Sequence, residues 1–125
     1  MSRERGSDSD AGLRPLADGE RAILDRLLSD YFPGRDALLA QAHDVQVRPI
    51  DPDGSLVFVP DPDAPRAEVK RRIPVEAETN DLDGVVIHVL LHVINGCMNE
   101  LEVYREDSAR VVRPIIPEAL RTTVL

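Results

Sequence analysis

Asp51-Pro52-Asp53-Gly54, Asp81-Leu82-Asp83-Gly84 and Asn95-Gly96 punctuate the middle of the chain, and they restrict its fold more than any other feature. Proline presets φ for the first corner of a turn, while glycine and asparagine accept positive φ. The segments between these turns alternate apolar and polar residues: "VQVRPI" and "SLVFVP" around the first, "RRIPVEAET" and "VVIHVLLHVI" around the second, then "ELEVYR" after the third. Tight reversals joining period-two segments predict hairpins, and hairpins in series predict an antiparallel meander of about five strands.

The residues before Val45 follow a different period. Ile23, Leu24, Leu27, Leu28, Tyr31 and Phe32 make one helical stripe from about Ala17, with Asp18 as N-cap and Pro33-Gly34 as the stop. A shorter helix over about 35–42 presents Leu38, Leu39 and Ala42, and His43 sits at its end as a capping or exposed residue. The expected fold class is therefore α+β, with two N-terminal helices packed on one face of a five-stranded antiparallel meander sheet.

Residues 1–12 are rich in Ser, Arg, Asp and Gly and are expected to form a disordered tail. Residues 13–125 are then a single domain, long enough to bury a core without metal or disulfide. From about residue 113 a C-terminal tail, with a single helical turn opened by Pro117, is expected to dock on the body. With two Phe, two Tyr and no Trp, the core must be aliphatic. One cysteine, Cys97, rules out an internal disulfide and suggests a reducing compartment. The start lacks the apolar segment of a signal peptide, and no run is long enough to span a bilayer. A cytoplasmic protein without membrane association is expected. A net charge of −8 disfavours nucleic acid and fits a basic protein partner.

His88 and His92 interrupt the longest apolar run. Side chains alternate faces along a strand, so Val85, Ile87, Val89, Leu91 and Val93 must face the helices. Val86, His88, Leu90, His92 and Ile94 then share the outer face. Pairing Leu91 with both Ile73 and Leu101 matches the core faces of the neighbouring strands. That register sets His88 between Glu76 and Tyr104, His92 between Arg72 and Glu100, Leu90 between Pro74 and Glu102, and Glu78 opposite Val86. The result is a candidate binding face in which an apolar thread of Val86, Leu90 and Ile94 runs between histidines and carboxylates.

A histidine beside a carboxylate is also a proton-transfer pair or half of a metal site, so a small enzyme or metal-binding domain is the alternative. Against one shared metal, His88 and His92 stand roughly 13 Å apart on an extended strand. GxGxxG, P-loop, GxSxG, CxxC and HExxH motifs do not occur, and "DPDGS" and "DPDAP" fall short of a calcium loop. Neither a cofactor, a metal nor a catalytic residue is expected. Cys97 lies in a hairpin loop without a matching base.

The stretches "ERAILDRLLSDYFPGRDALLAQ", "IDPDGSL", "RRIPVEAE" and "DLDGVVIHVLLHVINGCMNELEVYRED" resemble a family of small bacterial proteins classed as a domain of unknown function. The resemblance implies a bacterial domain and brings no activity and no functional residues with it. Small acidic α+β proteins invite comparison with the immunity proteins of toxin systems, which is an analogy of fold alone. The functional expectation is a non-enzymatic protein–protein interaction module, using the outer face for self-association, as a homodimer, or for a basic partner.

Overall fold

A computed structural model describes residues 12–125. The expected tail of residues 1–12 lies outside the described residues except for Gly12. The elements in chain order are β1 (Arg14–Pro15), α1 (Asp18–Leu27), α2 (Arg35–Asp44), β2 (Gln46–Pro49), β3 (Leu56–Val59), β4 (Val75–Asn80), β5 (Val86–Ile94), β6 (Cys97–Arg105) and β7 (Arg121–Val124), with a 3-10 turn at Pro117–Ala119. The class is α+β, with two α-helices and an antiparallel sheet among the described residues.

The N-cap of α1 is Ala17 rather than Asp18, and the Glu20 carboxylate accepts the Ala17 amide at 2.9 Å. Glu20 also takes both guanidinium nitrogens of Arg14, at 2.7 and 2.8 Å, which fastens β1 to the helix start. Leu24, Leu27 and Leu28 bury their side chains, but the helix stops at Leu27, and Tyr31 is 68% exposed rather than part of the buried stripe. Gly34 opens α2 with φ of 92°, and a Cβ there would stand 2.8 Å from Val69 Cγ1. Only glycine fits that position.

The sheet departs from a five-stranded meander in two ways. Among the described residues it has seven strands, in the order β1-β2-β3-β6-β5-β4-β7. The hairpins at Asp51–Gly54 and Asn95–Gly96 form as expected, the latter with φ of 52° and 77° at its two corner residues. However, β3 pairs with β6 and not with β4. The proline-containing loop between β3 and β4 accounts for this. It crosses the end of the β5–β6 hairpin, where the Ala67 amide donates to Gly96 O at 2.8 Å and the Val93 amide to Arg72 O at 2.7 Å. The chain therefore reaches the far side of β5 before β4 begins. Beyond β4, β7 adds Arg121–Val124 as a further strand.

The β5–β6 register is the expected one, with Leu91 opposite Leu101, His88 opposite Tyr104, Leu90 opposite Glu102 and His92 opposite Glu100. The β4 register is shifted by two residues: Leu91 faces Val75, not Ile73. Pro74 has no amide to give to a ladder, so regular pairing begins only after it. In β6, Val93 faces Met98 while His92 faces Glu100, which leaves Asn99 as an extra residue. This bulge turns Met98 inward, whereas strict alternation from Glu100 would have turned it out. Ile87, Val89, Leu91, Val93, Met98, Leu101 and Val103 form the sheet side of the core, against the leucines of α1 and Leu38 and Ala42 of α2. Leu39 points outward instead.

One buried polar side chain ties α2 to the sheet. Gln41 is 1% exposed, and its amide donates to Pro65 O and Gly96 O at 2.8 Å each, while its carbonyl accepts the Met98 amide at 2.8 Å. It fixes the bulge, the Asn95-Gly96 turn and the crossing loop at one point.

Candidate functional site: the open sheet face

Both helices pack on one side of the sheet, so the opposite side of β4, β5 and β6 faces outward. On it, the shifted β4 register changes the histidine surroundings. His88 lies between Glu78 and Tyr104, not beside Glu76, and Leu90 lies between Glu76 and Glu102. Val86 faces Asn80 rather than Glu78. Because Pro74 interrupts the ladder, Arg72 does not pair with His92 as a strand neighbour. It still reaches the ring, and Arg72 Nε donates to His92 Nδ1 at 3.2 Å.

Each imidazole is held by carboxylates. With Nδ1 of His92 accepting from Arg72, the proton belongs on Nε2, which donates to Glu102 Oε1 at 2.8 Å. His88 Nε2 meets Glu106 Oε1 at 2.9 Å, and its Nδ1 faces Glu78 Oε2 at 3.6 Å. The His88 ring stacks on Tyr104, with centroids 4.9 Å apart and planes inclined by 21°. Both nitrogens of both rings are thus directed at protein groups. A metal would have to displace an arginine or a carboxylate to find a lone pair. Among the described residues no group of three or more His, Cys, Asp and Glu side chains is gathered as a metal site.

Val86, Leu90 and Ile94 are half-buried rather than a fully open stripe. Glu76, Glu78, Glu100 and Glu102 surround the thread, and Tyr104 is exposed at its margin. Local desolvation, followed by the charges of Glu102, Glu76, Glu106 and Glu78, pushes the Tyr104 phenol above its ordinary range. The second contribution reports a negative field over this face.

Sequence reasoning missed Glu106, which lies in the turn after β6 and closes the His88 pair. It also missed an ion cluster built around the buried Arg105 and Asp81 at the end of the sheet. The Arg105 side chain is 5% exposed and bonds Asp81 at 3.0 Å, Asp83 at 2.9 Å and Asp107 at 2.7 Å. Asp81 also accepts the amides of Leu82, Val112 and Arg113. Burial opposes ionisation of Asp81, but these hydrogen bonds outweigh it and hold the carboxyl below its usual range. The hydrogen bond from Arg105 brings Asp107 down to about 2. The Arg105 donors are consumed inside the cluster, which makes it a clamp between the β4–β5 turn and residues 107–113. Strand parity was the available signal, because Arg105 shares the inward face with Leu101 and Val103.

A cleft of about 450 Å³ opens on the helix side, between the start of α1, the β2–β3 turn and residues 111–115. Its floor is apolar, with Ile23, Leu101 and Val103, and its carboxylates are already engaged: Glu20 with Arg14, and Asp53 with the Val111 amide.

The chain belongs to the family described as Domain of unknown function (DUF6984), whose model matches residues 13–115. No curated protein and no solved structure matches it. Among the described residues no helix is long and apolar enough to cross a membrane.

Proposed function

We propose that this protein is a non-enzymatic protein–protein interaction module of the bacterial cytoplasm, and that the open face of β4–β6 docks a basic partner. The observation that carries this reading is a helix-free sheet face on which glutamates surround the half-buried line of Val86, Leu90 and Ile94. An apolar line inside a charged rim is the anatomy of a docking surface. Self-association through the same face would bring two rims of Glu76, Glu78, Glu100 and Glu102 together, and like charges in an interface cost several kcal/mol. Arginine or lysine side chains from a partner meet no such penalty.

The test is calorimetric titration with a defined arginine-rich peptide at low and at high salt. Wild type should bind, more weakly as salt rises, and Leu90→Arg should lose at least tenfold in affinity while keeping its fold. Equal binding by both folded proteins would remove the outer face as the docking site.

A further inference from the structure

We infer that a second copy of this chain pairs with the open edge of β7, joining two sheets into one continuous sheet about a two-fold axis at Thr123. The two ends of the sheet differ. At one end β1 has only two residues and includes Pro15, both of which blunt an edge. At the other end β7 is a run of Arg, Thr, Thr and Val without proline, and among the described residues no strand lies on its outer side.

The backbone directions follow from one hydrogen bond. The Leu125 amide donates to Pro74 O at 2.9 Å, so Leu125, Thr123 and Arg121 turn their backbone groups toward β4. By alternation Thr122 and Val124 turn theirs to the open side. An antiparallel copy with Thr122 opposite Val124 of the second chain satisfies these donors and acceptors reciprocally. The same operation places Thr123 against Thr123, a favourable cross-strand pair.

The side chains agree with this pairing. Thr122 and Val124 lie on the helix side, opposite Ala77 and Val75. Val124 is 39% exposed there, and Tyr31 is exposed next to Asp30, whose carboxylate meets Thr122 Oγ1 at 3.4 Å. Pairing would cover apolar surface beside the new hydrogen bonds. Strand β7 carries no carboxylate side chain of its own, so fewer like charges oppose self-association along this edge than on the outer face.

The experiment is light scattering on the full chain from micromolar to millimolar concentration, with amide exchange on the same samples. Wild type should pass from one copy to two, and the Thr122 and Val124 amides should exchange more slowly as it does. Thr123→Lys, at an exposed site on the axis, should remain a single copy, and Val124→Lys gives a second such variant if the first is unstable. Leu90→Arg, on the outer face, should still dimerise. Wild type of single mass at every concentration would overturn the inference. So would a folded Thr123→Lys protein that still dimerises, or a dimer with unprotected Thr122 and Val124 amides. A wild-type protein that dimerises through β7 but does not bind the basic peptide would fault the proposed docking face and leave the edge pairing standing.

Discussion

Replacing Gln41 with leucine tests whether the fold depends on a single polar contact inside an aliphatic core. Leucine matches glutamine closely in volume, so no large cavity forms, and the loss is confined to the three hydrogen bonds at 2.8 Å. Their consequences differ. Pro65 is exposed, so its carbonyl can bond to water. Gly96 O keeps the Ala67 amide. The Met98 amide, on a residue 1% exposed, loses its partner outright. An orphaned buried donor costs about 1–3 kcal/mol, and each lost net hydrogen bond about 0.5–1.5 kcal/mol. Allowing for the two carbonyls that find replacements, the expected loss is about 2–4 kcal/mol. For a domain of this size that lowers the thermal midpoint by roughly 10 °C. Urea unfolding followed by circular dichroism measures it, with the slope unchanged if the denatured state is unaffected. Gln41→Glu sharpens the experiment. It keeps an acceptor for Met98 but sets a carboxylate against two carbonyl oxygens, so it should be worse than leucine at neutral pH and recover as acid protonates it. A leucine variant within about 0.5 kcal/mol of wild type would refute the role given to Gln41.

Three further outcomes are expected. Leu91→Ala, at the centre of the sheet and fully buried, should cost about 2–5 kcal/mol in the same urea assay without changing the fold. Gly34→Ala puts a side chain at positive φ and against Val69, and should cost about 1–3 kcal/mol. Asp107 titrates at about 2 when folded, against an ordinary value of 3.8. Its contribution is therefore present above pH 3.8 and lost as pH falls toward 2, because the folded state holds the proton less tightly than the unfolded one. Asp107→Asn should be less stable than wild type at neutral pH, and their midpoints in thermal melts should converge across that acid window.

Local chemistry made part of this architecture readable in advance. Asn95-Gly96 and Asp51-Pro52-Asp53-Gly54 specify their turns through residues next to one another, and the core faces of β5 and β6 follow from alternation, so His88, Leu90 and His92 were assigned to the outer face with their correct β6 neighbours. What escaped depends on distant residues. The pairing of β3 with β6 is set by a loop crossing a hairpin end, which has no signature in either strand. Strand β7 offers only four residues and gains its partner after a long excursion. The shift in β4 was legible in principle, because Pro74 cannot donate to the ladder that the expected pairing with Leu91 required. Likewise, an arginine at an inward position among Leu101 and Val103 demanded carboxylates within reach, and the two aspartates of the Asp81–Gly84 turn were the obvious supply. The Asn99 bulge had no such indicator.

The joint between β3 and β6 has a kinetic meaning. Only Leu56 with Leu101 and Val57 with Glu100 are paired across it, and beside them the Ser55 hydroxyl stands in for backbone by exchanging hydrogen bonds with Val103. On either side lie hairpins closed by short turns, which form within microseconds. Bringing Val57 to Glu100 requires closing a far longer loop, whose entropy must be spent before these few contacts return anything. The two hairpin blocks are thus expected to form early and separately, with the joint between them setting the folding rate. In the native protein that joint is also where the sheet would part first, as two cooperative units rather than strand by strand.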